Sequence, residues 1–350
     1  MIVIVDCMGG DRAPLEVVKG AYAASLEYNA NFILVGDKAE IHRIADAEGM
    51  DLRRFDIVDA PVTVEMTDPP LAVMKAKKDS SMNVALTMLA EGKGDALVST
   101  GNTGALFTGA TLIVRKIKGI KRPAIASILP MTPPVLLLDS GANITVTPAY
   151  LEQFAIMGSI YMHKIYGLSA PRIGLLNNGT EESKGTELQI ETYKLLSESP
   201  SLNFVGNIEA NMVPKDACDV LVTDGFTGNI LLKSIEGMGK MLLRTMKDIF
   251  YADVVSKISA LLIKKKIGDV KARFDPNEYG GAPILGIAKP VIKAHGSSNA
   301  KAVKNAIRQA IAYADSGVIY DIARETKLFT PAAAPKTEEA AAEKVEKLRK

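Results

Sequence analysis

The chain has 350 residues, 47% of them hydrophobic and 23% charged, enough apolar material for a sizeable buried core. Its net charge of +2 argues against a protein that coats nucleic acid, and Cys7 and Cys218 stand too far apart for a disulfide framework or a zinc spacing, as expected in a reducing cytosol. With only His42, His163 and His295, and with no basic leader or stretch of roughly 20 apolar residues, neither a multi-histidine metal site, nor export, nor a membrane span is expected.

Short β-branched runs alternate with helical periodicity along the chain. A strand at 2–5, ended by Asp6, precedes a helix over 14–27 with Pro14 in its first turn. Strands at 32–35 and 55–58 flank a helix over 38–48, and a helix over 80–91 leads to a strand at 96–98 and a helix over 103–116. Strands at 124–129 and 135–138 are followed by a helix over 148–166, a strand at 172–176 and a helix over 185–197. Strands at 204–205 and 219–222 and a helix over 297–314 complete the pattern. Several strands are apolar on both faces, as strands covered by helices on each side must be. The predicted fold is therefore α/β, a three-layer α/β/α sandwich with a mainly parallel sheet. A single catalytic domain is expected over 1–330, carrying a protruding helical hairpin at about 228–266, with 331–350 a flexible Ala/Glu/Lys tail.

The strands tend to end on polar residues or glycine: Asp6, Gly36, Asp59, Ser99, Asp139, Asn177 and Asp224. Ligands of open α/β sheets bind beyond the carboxyl ends of strands, so these turns are expected to share one crevice edge. Asp6-Cys7-Met8-Gly9-Gly10-Asp11 has adjacent glycines, unlike a dinucleotide fingerprint, and is either a ligand loop or a tight turn. Cys7 has Asp6 and Asp11 as neighbours, which disfavour a thiolate, so it is expected to be inert.

Ser99-Thr100-Gly101-Asn102-Thr103-Gly104 enters a helix and can cradle an anion with backbone N–H groups; its alternative role is helix capping. It lacks the Gly-Lys-Ser/Thr ending of a nucleotide loop, so free phosphate suits it better than ATP. Asn177-Asn178-Gly179 leads to Lys184 at a helix entrance, where a cation opposes the helix dipole unless an anion is near. Asp224-Gly225-Phe226-Thr227-Gly228-Asn229 repeats the layout. His295, between Lys293 and Asn299, is either an anion or proton-transfer group or a cap for the last helix.

Met238, Leu242, Met246 and Ile249 recur at helical spacing, and Val254, Ile258, Leu261 and Leu262 follow beyond a turn at Tyr251-Ala252-Asp253. From Lys240 to Arg273 nine Lys or Arg stand against three Asp, a local net charge of +6. Such a hairpin suits an anionic membrane surface, with Phe250, Tyr251, Val254, Val255 and Ile258 at its tip; a dimer interface is the other reading, and both can hold.

Taken together these motifs resemble the phosphate acyltransferases of bacterial phospholipid synthesis. The resemblance covers residues 2 to about 314 and rests on 6–14, 77–82, 99–106, Leu138-Asp139-Ser140-Gly141-Ala142-Asn143, 154–161, 174–177, 224–232, 278–283 and 293–299. Cys7, where the family usually has alanine, Arg12, Asn178 and 210–216 depart from it. It implies a fold related to isocitrate dehydrogenase and phosphotransacetylase, and a homodimer with the active cleft near the subunit interface. It also implies transfer of a fatty acyl group from acyl carrier protein to inorganic phosphate, without a cofactor or a metal. The acyl phosphate would then serve a membrane-bound glycerol-3-phosphate acyltransferase, which places the protein in the cytoplasm at the inner face of the membrane.

Lys184 and Asn229 are the catalytic candidates. Asp6, Gly9, Gly10, Ser99, Gly101, Asn102, Thr103, Gly104, Asn177, Asp224, Gly228 and His295 are the candidates for binding phosphate and substrate. An acidic carrier would dock on basic residues, either Lys75, Lys77 and Lys78 or Arg115, Lys116, Lys118, Lys121 and Arg122. Three rivals remain. A nicotinamide-dependent dehydrogenase lacks its fingerprint here. A binding-only membrane adaptor would not consume thioester, and an acetyltransferase would use coenzyme A instead of the carrier.

Overall fold

In β1 (Ile2–Asp6) Val3 and Val5 enter one apolar layer and Ile4 the other, all fully buried. The computed structural model describes residues 1–328 apart from 254, 257, 258, 261, 262, 264, 266, 267 and 269–274. Parallel to β1 run β2 (Asn31–Gly36) and β3 (Phe55–Asp59) on one side and β4 (Ala96–Ser99) on the other. They are linked through α1 (Leu15–Glu27), α2 (Lys38–Ala47) and α3 (Ser81–Ala90), and α4 (Thr103–Gly109) follows β4. Asp37 and Ser80 cap α2 and α3 by accepting the N–H groups of Glu40 and Asn83.

The chain continues through β5 (Ala124–Leu129), β6 (Val135–Leu138), α5 (Pro148–Tyr166), β7 (Arg172–Asn177) and α6 (Glu187–Ser197). Then come β8 (Asn203–Glu209), β9 (Val220–Val222) and the long α7 (Gly225–Tyr251). A short α8 (Pro276–Tyr279) precedes β10 (Gly281–Leu285), β11 (Val291–Ala294), α9 (Ala300–Asp315) and α10 (Val318–Leu328). The last strand pair was not among the predicted elements.

All eleven strands form one sheet in the order β3-β2-β1-β4-β11-β10-β5-β6-β9-β7-β8. Both flanks are parallel, so the expected mainly parallel α/β/α sandwich is the fold. The centre is not: β10 is antiparallel to β11 and to β5, and β5 is antiparallel to β6. Three successive reversals make the two flanks run in opposite directions. Asp6, Gly36, Asp59 and Ser99 thus end strands at one edge, while Asp139, Asn177 and Asp224 follow strands at the other. The single crevice edge expected from the strand ends is corrected accordingly.

One face of the sheet is covered by α1, α5 and α9 through Val17, Val18, Phe154, Met157, Val303 and Ile307. On the other face α3 and α4 bring Leu86, Leu89 and Leu106 over the first flank. Over the second flank, Leu231, Leu232 and Ile235 of α7 pack towards Leu137 and Leu221. No helix among the described residues is long and apolar enough to cross a membrane.

Candidate active site

The reversal at the sheet centre leaves a cleft of about 420 Å³, lined by β5, β10 and the first turns of α7. Ile125, Ile128, Pro130, Leu232 and Ile235 give the lining apolar surface, and Thr103, Ser127, Ser140, Asn229, Lys233, Glu236, Tyr279, Lys293 and His295 supply polar groups.

The segment after β6 is pinned by one carboxylate. Asp139 is fully buried and accepts N–H bonds from Ile125, Gly141, Ala142 and Asn143, and from the Asn143 side chain at 2.8 Å. Helix α7 presses directly on this segment, because Gly228 has no Cβ; one would collide with the Asp139 carbonyl oxygen. Asp224 caps α7, accepting the N–H of Thr227 at 2.8 Å and its hydroxyl at 2.7 Å. The result is a fixed first turn of α7, which carries Asn229 into the cleft beside Gly141.

The loops after β1, β4 and β11 are tied together. Asp6 is fully buried and accepts the hydroxyls of Ser81 and Ser99, each at 2.6 Å. Ser99 Oγ in turn accepts the Gly101 N–H at 3.1 Å. Gly9 lies against the backbone of Gly101, with no room for a side chain between them. Gly10 has φ +108°, and the Asp11 N–H next to it donates to Gly296 O at 2.8 Å. Lys293, 8% exposed, donates from Nζ to the carbonyl oxygens of Thr100 (3.2 Å) and Ala294.

His295 stands in the cleft with its Nδ1 facing the N–H of Ser297 at 3.2 Å and its hydroxyl at 2.9 Å. The backbone N–H needs an acceptor at Nδ1, which puts the ring hydrogen on Nε2. Burial, then Lys233 and Lys293, hold its pKa below the usual histidine value, so the ring is neutral at pH 7 and can donate through Nε2.

Of the binding candidates, Thr103, His295 and the catalytic candidate Asn229 line the cleft. Asp6 and Ser99 are spent on each other, because a buried carboxylate needs its donors nearby. Gly9, Gly10 and Gly101 shape the turns, Gly104 faces Pro70, and Gly228 and Asp224 set the start of α7. Asn102 follows the capping alternative: its Oδ1 accepts the Ala105 N–H, and its Nδ2 reaches the carbonyls of Glu65, Met66 and Asp68.

Lys184 lies on the exposed turn after β7, outside the cleft lining, and its carbonyl is held by Asn177 Nδ2 at 3.0 Å. Cys7 is buried, and burial followed by the Asp6 charge pushes its thiol far above the ordinary range, as an inert cysteine requires. Lys293, Ser140 and Gly141 also line the cleft, although none of them is a candidate by sequence.

Among the basic clusters, Lys77 pairs with Asp68 at 2.6 Å, whereas Lys75, Lys78, Arg115, Lys116, Lys118, Lys121 and Arg122 are exposed. Phe250 is half-buried at the end of α7, and Tyr251 and Val255 are 64% and 74% exposed. Val254, Ile258 and residues 331–350 lie outside the described residues.

A family profile described as fatty acid synthesis protein matches residues 1–321. The phosphate acyltransferase of Thermoanaerobacterium thermosaccharolyticum is 44% identical over 330 residues, 94% of this chain and 98% of that one. That of Bacillus subtilis is 42% identical over 332 residues, 93% of this chain and 98% of that one. Among solved structures, a phosphotransacetylase from Streptococcus pyogenes superposes with a TM-score of 0.60 at 17% identity, covering 90% of this chain and 94% of that one, a likeness of fold.

Proposed function

The chain belongs to the phosphate acyltransferase family, and from that premise we propose that the central cleft transfers a fatty acyl group from acyl carrier protein to inorganic phosphate. It is an acyltransferase that moves an acyl group to phosphate. The observation that carries the proposal is the mixed lining of the cleft, where Ile125, Ile128, Leu232 and Ile235 share the space with the donors Thr103, Asn229, Lys293 and His295 and with the Lys233–Glu236 ion pair. An apolar wall suits an acyl chain, and the donors suit an oxyanion.

In the proposed step an oxygen of hydrogen phosphate attacks the thioester carbon. The new C–O bond forms, the C–S bond breaks, and the phosphate proton ends on the departing carrier thiolate. The products are acyl phosphate and free carrier thiol, with no acyl-enzyme. Holding both reactants in one cleft supplies proximity. Asn229 Nδ2 is the donor for the thioester oxygen as it gains charge. Lys184, exposed on the turn after β7, is the further cation assigned to balancing the phosphate charge.

The same reading assigns a homodimer and a cytoplasmic location. It also assigns contact of the α7 end with an anionic membrane, where a membrane-bound glycerol-3-phosphate acyltransferase takes the product. The exposed Tyr251 and Val255 beside basic residues support that contact. The carrier is tested by side-by-side turnover with a long-chain acyl carrier protein and the same acyl coenzyme A, each with and without phosphate. Phosphate-dependent release of thiol is expected at much higher kcat/KM from the carrier protein. Equal or greater kcat/KM with coenzyme A would refute the carrier assignment.

A further inference from the structure

The two lysines of the cleft differ in one respect. Lys233 is paired with Glu236 at 2.8 Å. Lys293 is 8% exposed, yet no carboxylate among the described residues lies within 4.0 Å of its Nζ. Asp6, behind it, is already engaged by Ser81 and Ser99. The ammonium has three protons, and two go to the carbonyl oxygens of Thr100 and Ala294. A buried cation with no carboxylate in direct contact is costly unless a ligand provides one. Lys293 also lines the cleft, with Thr103 and His295.

We infer that Lys293 anchors the phosphate, its remaining N–H bonding a tetrahedral oxyanion seated between Lys293, Thr103 and His295. The inference rests on phosphate being the acyl acceptor. It divides the labour of the cleft: Lys293 fixes the nucleophile, and Asn229 addresses the thioester oxygen.

Burial lowers the Lys293 pKa to about 8, while Asp11 and Asp6 favour its charge. His295 on its own loop, Tyr279 of α8, and Lys233 and Glu236 on α7 are the charged or titratable groups that line the cleft with it. Lys293 is charged below about pH 8 and loses its charge above it. The neutral His295 does not change charge in that direction, since its pKa lies below the usual histidine value.

Two measurements test the inference. In Lys293→Met, which keeps the stem and removes the charge, the KM for inorganic phosphate should rise by about 10-fold or more while the KM for the acyl carrier stays within about twofold. Inorganic phosphate should raise the Tm of the wild type and leave that of the variant unmoved. In the wild type, the phosphate KM should climb above pH 8 towards roughly 10-fold per pH unit, with no matching rise for the carrier. A folded Lys293→Met with an unchanged phosphate KM overturns the inference. If the variant does not fold, the wild-type profile decides, and a phosphate KM flat to pH 9.5 overturns it. A wild type whose thioester turnover ignores phosphate would instead strike the acceptor assignment and take this inference with it.

Discussion

Asn229→Ala is expected to lower kcat on the order of 100-fold, about 2.7 kcal/mol of transition-state stabilisation, with the KM for phosphate little changed. The reason is position. Asn229 sits just inside the start of α7, and that start is fixed by the Asp224 cap and by the contact of Gly228 with the Asp139 segment. A donor held that way needs no reorganisation as charge develops on the thioester oxygen. A lost phosphate contact would raise KM instead, so steady-state kinetics in both substrates separate the two roles. Full turnover in a folded Asn229→Ala would remove this residue from the chemistry.

Gly228→Ala should cost about 1–3 kcal/mol of stability and depress turnover with it. The added methyl group meets a backbone oxygen, not the yielding end of a side chain. That backbone cannot retreat easily, because the Asp139 carboxylate gathers the N–H groups of Ile125, Gly141, Ala142 and Asn143. The relief available is to lift α7, which carries Asn229, Leu232 and Ile235 out of the cleft. Denaturant unfolding and kcat measured on the same preparation check both effects. An unchanged unfolding midpoint with wild-type turnover would show that the contact is not tight.

Residue pattern made much of the fold legible. The alternation of Val3, Ile4 and Val5 across two layers is written in β1, and Pro148 marks the start of α5. What escaped the sequence was β10 and β11. Gly280-Gly281-Ala282-Pro283 and Lys293-Ala294-His295-Gly296 have turn composition, and only pairing with β4 and β5 makes strands of Gly281–Leu285 and Val291–Ala294. Missing those two strands hid the reversal, and with it the separation of Ser99 from Asn177 and Asp224.

The site was legible to a similar depth. Asn102 could cap a helix or hold an anion with the same amide, and sequence carries no distance that distinguishes them. Lys293 was hidden for a different reason: a lysine in a strand end reads as solvated until the three loops around it are seen to close over it.

The central claim is that phosphate itself takes the acyl group in one step. It is tested most directly by mixing the protein with a long-chain acyl carrier protein and phosphate labelled with ¹⁸O at every oxygen, then weighing product and enzyme by mass spectrometry. The account predicts one acyl phosphate carrying all the label for each carrier thiol released, and no acyl adduct on Cys7 or elsewhere. Release of unlabelled free fatty acid, or an acylated enzyme formed without phosphate, would contradict it.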